Sequence, residues 1–237
     1  MADRFYCPEP PVDGRIALEG DEARHLGMVL RAEPGRVVEV FDGRGHAHRA
    51  EVLSVDKRRV WLSIVAPLPP RPLPCRLVLG VAPPKGDRLD WLVEKATELG
   101  VSTLVPLRTA RSVVDPRPAK VDRLRRAVVE ATKQCGRDTL MEVAEPMAWA
   151  DWLGLGPGLI AVPGGLDVSA WPCFEADATI HLAIGPEGGF TAVELERAAG
   201  WTAVNLGPTT LRIETAAMAG AAIVVALASG RTSGRAM

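Results

Sequence analysis

Along the first seventy residues, apolar and polar positions alternate with a period near two, the signature of half-buried strands. Arg36 to Phe41 predicts one strand, His46 to Val55 a second, and Lys57 to Val65 a third in which Val60, Leu62 and Ile64 alternate with polar neighbours. Asp42-Gly43-Arg44-Gly45 lies between the first two and carries a hairpin-turn signal. Ahead of them, Gly20 to Leu26 has an acidic first turn followed by helical apolar spacing, which predicts a short helix. Short strands joined by tight turns suggest a small β-barrel. The pattern then breaks at Pro67 to Pro74, with five prolines in eight residues. Such a run fits neither a helix nor a central strand, so it reads as a stiff linker between a domain over 1–70 and another over 71–237.

Beyond the linker, strands and helices alternate. Arg76 to Ala82 and Val101 to Leu107 read as buried strands. Between them, Asp87 to Leu99 is amphipathic, with Leu89, Leu92, Val93, Ala96 and Leu99 on one side and Gly100 at its end. Ala119 to Gln134 predicts a second helix, with Arg123, Arg126 and Lys133 on its exposed face. Leu159 to Val162, Thr179 to Ile184 and Ala203 to Leu206 predict three more strands. Thr191-Ala192-Val193-Glu194 is a capping box opening a helix that closes at Gly200. Glu214 to Ser229 predicts a final helix that is Ala-rich and apolar on nearly every side. It must be buried inside the domain or against a second copy. This alternation implies an α/β fold with a mostly parallel sheet, and such sheets bind ligands at the carboxyl ends of their strands. Three of those ends carry Gly/Pro-rich loops: Val162 to Gly165, Ile184 to Gly189, and Leu206 to Thr210.

Charge sharpens this picture locally. The net charge is -1, but residues 85–138 hold twelve basic against eight acidic residues, while 142–237 hold four against ten. The middle segment could offer a polyanion a basic patch, or simply present solvated helix faces. Cys7, Cys75, Cys135 and Cys173 are far apart and form no C-x-x-C pair, which disfavours a zinc ribbon or a disulfide framework. His46-x-His48 places two rings on one strand face without further ligands, so it reads as surface and no metal site is expected; His25 and His181 read as structural. The start resembles no signal peptide, and no apolar run reaches the ~18 residues of a membrane span, so a cytoplasmic protein without membrane contact is expected.

Gly185-Pro186-Glu187-Gly188-Gly189 is neither a P-loop nor a dinucleotide fingerprint, since no Gly-Lys-Ser/Thr or G-x-G-x-x-G spacing is present. By itself it fits a tight strand-to-helix turn. Glu187, however, has no role in a turn, and a second Gly-rich turn follows one βα unit later.

Ile184 to Gly189 and Leu206-Gly207-Pro208-Thr209-Thr210-Leu211-Arg212-Ile213-Glu214-Thr215-Ala216 together resemble the signature motifs of the ribosomal RNA small-subunit methyltransferase E family of the SPOUT superfamily. The resemblance extends in order through Lys85 to Val101, Pro106-Leu107 with Arg111 to Val114, and Gln134 to Arg137, and at the N-terminus through Arg4-Phe5 and His25 to Arg31. Tyr6-Cys7, Thr132-Lys133 and Thr209-Thr210 depart from the family's pattern without touching the glycines, Glu187, Arg212 or Glu214.

The resemblance implies a PUA-like β-barrel followed by a SPOUT α/β domain with a C-terminal deep trefoil knot, acting as a homodimer. It implies S-adenosylmethionine as cofactor and N3 of a specific uridine in 16S ribosomal RNA, within a 30S particle, as acceptor. By position, the cofactor would meet Val162, Pro163, Gly164, Ile184, Gly185, Glu187, Gly188, Gly189, Leu206, Gly207, Leu211, Arg212, Thr215 and Ala216. Arg212 and Glu214 are the catalytic candidates, Arg212 as a contact to uracil or the cofactor carboxylate and Glu214 as polar support or base, although the pair also fits a salt bridge at a helix start. Arg4, Arg24, Arg31, Lys85, Arg88, Arg111 and Arg137 are the RNA-binding candidates. The competing readings are another SPOUT enzyme acting on tRNA or 23S RNA, and a non-catalytic RNA-binding ribosome-assembly protein.

Overall fold

The computed structural model describes residues 3–116, 118–168, 171 and 178–232; Cys173 lies outside them. The chain divides into two compact units, Met1–Pro72 with Thr132–Leu140, and Leu73–Ala131 with Met141–Met237.

The first unit is built on β1 (Arg4–Tyr6), β2 (Arg15–Glu19), α1 (Gly20–Arg24), β3 (Val37–Phe41), β4 (Ala47–Val55) and β5 (Arg59–Pro67). The strands form one five-stranded sheet in the order β1-β3-β4-β5-β2. Its period-two pattern buries Val38, Val40, Ala50, Val52, Val60 and Leu62 around Phe5, Leu18 and Leu26. The short helix expected over Gly20 to Leu26 runs further. After α1 the chain widens into a π-helical turn, His25–Val29, closed by the Leu30 N–H donating to the His25 carbonyl at 2.9 Å. The widened turn buries Leu26 and leaves Met28 and Val29 at the surface. The strands β1 and β2 escape the period-two reading because they are short and lie among prolines and charges.

The second unit contains β6 (Arg76–Val81), α2 (Arg88–Glu98), β7 (Thr103–Arg108), α3 (Pro118–Cys135, to Ala131 in this unit), β8 (Glu142–Val143), β9 (Met147–Ala148), α4 (Trp149–Leu153), β10 (Leu159–Asp167), β11 (Thr179–Ile184), α5 (Ala192–Arg197), β12 (Thr202–Asn205) and α6 (Ile213–Thr232). The sheet runs β12-β10-β11-β6-β7-β8, with β9 paired to the end of β7, and every pair is parallel. The α/β expectation therefore holds. Strand residues alternate between two buried faces. Gly220 brings α6 so close to the sheet that a Cβ there would lie 2.7 Å from Leu182 Cδ2. On the opposite face, Gly80 leaves room for the Trp152 indole, which a Cβ would meet at 2.8 Å. Trp149, Trp152 and Phe190 pack there with Val78, Val105, Leu107, Ile160 and Ala183.

Arg4 and Arg137, expected to reach RNA, are instead buried in the first unit, at 6% and 7% exposure. The Arg4 guanidinium pairs with Asp138 at 2.6 Å and Glu39 at 3.3 Å, donates to the Arg137 carbonyl at 3.2 Å, and lies 4.8 Å from the centre of the Phe41 ring. A cation so placed neutralises buried carboxylates and cannot meet a phosphate. Lys133, expected on an exposed face, is likewise buried and pairs with Glu22 at 2.8 Å. Arg24 and Arg31 are exposed.

Removing Arg4 would leave Asp138, which is 1% exposed, with Arg71 at 4.0 Å as its remaining counter-ion. Arg4→Ala is expected to lower stability by roughly 3–5 kcal/mol, against less than about 0.5 kcal/mol for Arg24→Ala. Urea unfolding of the two variants checks this; equal small losses would show that the buried pair does not anchor the unit.

Candidate functional site

Because every strand of the second sheet is parallel, the carboxyl ends of β10, β11 and β12 lie on one edge, and each gives way to a Gly-rich segment. The first was expected to be a loop beyond a strand ending at Val162. Instead the strand continues to Asp167 around an arch. Ala161 and Leu166 both pair with Val204, so Val162 to Gly165 bulge out of the ladder. Gly165 permits this closeness, since a Cβ there would lie 2.7 Å from the Val204 backbone. The second segment, Gly185 to Gly189, is a turn in which the Gly189 N–H donates to the Pro186 carbonyl at 2.8 Å and Gly189 takes φ +67°. The third, Leu206 to Arg212, leads directly into α6, where the Ala216 N–H donates to the Arg212 carbonyl at 2.8 Å.

The three segments enclose one cavity of about 480 Å³. This falls in the size range of small-molecule sites, roughly 300–1,000 Å³. Of the cofactor-contact candidates, Val162, Pro163, Ile184, Gly185, Glu187, Gly188, Gly189, Leu206, Gly207, Leu211 and Ala216 line it. Gly164, Arg212 and Thr215 do not, and all three are exposed. Sequence reasoning missed Ala161, Pro186, Phe190, Leu195, Asn205, Thr209, Thr210 and Ile213, which complete the wall. Phe190 could have been found from its place directly after the Gly-rich turn. Its ring packs on Gly185, where a Cβ would approach it to 2.8 Å, and stacks on Trp149 at 4.7 Å. A wall so largely apolar and so rich in backbone suits a flat, heteroaromatic ligand read through its edge by amides and carbonyls. A larger hollow of about 1,100 Å³ lies in the first unit beside Tyr6, Cys7 and Trp61. Its wall carries Glu9, Asp13, Glu19 and Glu22 against Arg15, a charge balance that repels a polyanion.

The turn Gly185 to Gly189 is held from outside by two arginines. Arg111 donates to the Gly188 carbonyl at 2.5 Å. Arg88, an RNA candidate on sequence, lies between two carboxylates: Glu187 at 3.4 Å and Glu214 at 3.6 Å. Glu214 is therefore buried at the start of α6 against Arg88 and does not line the cavity. Lys85 is exposed just before α2, and its carbonyl accepts from Arg88 Nε at 3.3 Å.

The helix after the turn begins on the capping box expected at Thr191-Glu194, with both reciprocal bonds formed. Glu194 also accepts from the Ala110 N–H at 2.7 Å, tying the segment after β7 to α5. Burial alone would raise the Glu194 pKa, but hydrogen bonds from the Thr191 and Ala110 N–H groups and the Thr191 hydroxyl, with the nearby Arg111 charge, hold it below the usual carboxylate value. Elsewhere, His46 is exposed and pairs with Asp42 at 2.7 Å, as a surface residue would.

The chain matches the family model of the RNA methyltransferase domain over residues 71–225 and that of the RNA methyltransferase PUA domain over residues 18–65. It is 32% identical to the ribosomal RNA small subunit methyltransferase E of Synechocystis, covering 91% of this chain and 75% of the relative. To the protein of the same name from Aquifex aeolicus it is 31% identical over 90% of this chain and 94% of the relative. Among solved structures, it superposes with a TM-score of 0.87 on a ribosomal RNA small subunit methyltransferase E from Neisseria gonorrhoeae bound to S-adenosyl methionine, at 32% identity over 96% of this chain and 98% of that one. A methyltransferase from Legionella pneumophila with bound SAM superposes at 0.85, with 28% identity over 98% of both chains.

Two outcomes are expected. Gly165→Ala forces backbone apart at the arch and should lower the melting temperature more than Gly164→Ala, which has φ +79° but open space around it. A larger loss at Gly164 would show that the arch tolerates a side chain. Because the folded pKa of Glu194 is depressed, its stabilising share is present above the ordinary carboxylate pKa and is lost as pH falls through the depressed value. Glu194→Gln should therefore flatten the acid side of the melting-temperature profile, and an unchanged profile would refute the assignment.

Proposed function

This chain belongs to the ribosomal RNA small subunit methyltransferase E family, and on that premise we propose that it methylates N3 of one uridine of 16S ribosomal RNA, with S-adenosylmethionine as methyl donor. The observation carrying this reading is the single cavity enclosed by the three strand-end segments, whose glycines bring backbone close to a ligand. S-adenosylmethionine bound there supplies a methyl group on a sulfonium, open to in-line attack.

The rest of the task falls to the protein. Uracil N3 carries a proton at neutral pH, so the acceptor must be held in line and stabilised as it becomes anionic. Arg212 is exposed one residue beyond Leu211 of the cavity wall. We assign it the contact to a uracil carbonyl. Glu214, turned to Arg88, is a positioning residue at the base of the same segment. Lys85 and Arg111, both exposed, are assigned to phosphates, together with Arg24 and Arg31 of the first unit. The reacting base must leave its stack to reach the donor.

The same reading includes assembly of the substrate into a 30S particle, the trefoil knot and a homodimer. Several apolar side chains of α6, among them Met218, Ile223, Val225 and Leu227, are only half-buried. A second copy covering them would complete the burial of a helix that has almost no polar face.

Mass-spectrometric mapping of 16S RNA from a deletion strain tests the function. Loss of one N3-methyluridine, restored by the wild-type gene and not by Arg212→Ala, is expected. Unchanged 16S RNA, with a mark lost from tRNA or 23S RNA, would move the enzyme to another substrate.

A further inference from the structure

Glu187 is the one charged side chain among the described residues lining the cavity. Its carboxylate and that of Glu214 share Arg88, a triad of two negative groups and one positive with a formal charge of one negative, beside Arg111 on the Gly188 carbonyl. The two halves of this triad are unequal. The Glu214 side chain is 12% exposed, and its Oε2 is buried without a hydrogen-bond partner. Withdrawing Arg88 would leave a buried carboxylate with no counter-ion, so burial ties Arg88 to Glu214 although their separation, 3.6 Å, exceeds that to Glu187. The Glu187 side chain is 60% exposed and accepts from both Arg88 Nη atoms at 3.4 Å, longer than the roughly 2.7–2.9 Å of a tight charge-assisted bond. An exposed pair of this length is worth little, and Glu187 can turn towards a ligand at small cost.

We propose that Glu187 is the residue by which the cavity distinguishes a sulfonium from a thioether, favouring the methyl donor over the demethylated product. The proposal rests on the reading that S-adenosylmethionine occupies the cavity. Donor and product share their ammonium, carboxylate and adenosine groups, and differ in the methyl group and the positive charge it confers on sulfur. A lone carboxylate on an otherwise uncharged wall responds to that charge. Arg88, fixed by Glu214, holds Glu187 at the rim when no cation is present, which makes it a positioning residue. This gives a purpose to a carboxylate that a turn does not need.

Calorimetric titration of the full-length protein with S-adenosylmethionine and with S-adenosylhomocysteine tests the assignment without any turnover. Glu187→Gln keeps the size of the side chain and removes its charge. It is expected to weaken binding of the sulfonium ligand by roughly three- to tenfold and that of the thioether by less than about twofold. The wild-type preference should also shrink as salt is raised, while that of the variant should not. Equal weakening of both ligands would assign Glu187 to loop shape or to the shared ammonium and overturn the proposal, as would no weakening at all. A melting curve of the variant matching wild type excludes a folding defect. Failure of the wild-type protein to bind either ligand would reject the methyl-donor reading itself.

Discussion

The parallel pairing of β10 with both β11 and β12 is the constraint on which the site depends. Ile160 pairs with Ala183 on one side and Ala203 on the other, so three strands end at nearly the same level. Backbone leaving those ends must turn at once, and the turning segments face one another. The glycines follow from that crowding. At Gly165 the arch touches the neighbouring strand, and at Gly185 the turn touches Phe190. Each leaves no room for a side chain, and the cavity is what remains between segments that cannot approach further. Phe190 is the link to the hydrophobic interior, since it faces the cavity while packing on Trp149 of the core.

Much of this was legible in the chain. Long amphipathic periodicity located α2 and α3, and the Thr191-Glu194 box located the start of α5. These signals are local, and tertiary context agreed with them. The elements that escaped are those without local signals. The two-residue strands β8 and β9 exist through pairing with β7, and α4 is a single turn anchored by Trp149 and Trp152. The arch at Val162 to Gly165 reads as a loop because its glycines and proline are loop residues. Only the neighbouring strand shows that the ladder resumes at Leu166. Eleven of the fourteen expected contacts line the cavity, because position relative to a strand end decides which residues face it. The exceptions are Gly164, Arg212 and Thr215, whose exposure depends on which way each segment faces.

Charge was the least legible property. The twelve basic residues of 85–138 suggest a cationic face, yet most are already neutralised within the fold. Lys120 and Arg123 share Asp90, Arg125 holds Asp122 and Glu145, Lys95 sits between Glu94 and Glu98, and Arg108 pairs with Asp115. Among the described residues of this stretch, Lys85, Arg111 and Arg126 are exposed and outside such pairs. A count of charges along the chain cannot reveal this, because it does not show which carboxylates lie close enough to cancel them, whether within one helix or from another element.

The sorting of arginines by burial has a consequence for how the protein can hold a polyanion and a cation together. Arg4 lies among buried carboxylates, where its charge is spent on folding and is nearly invisible outside. Lys85, Arg111 and Arg212 remain exposed, and an RNA backbone would feel them. Arg88 stands between these classes. It is half-buried, carries as much negative charge as it can neutralise and more, and so adds no net attraction for phosphate. Its pairing with Glu187 and Glu214 leaves the triad with a single carboxylate in excess beside the cavity.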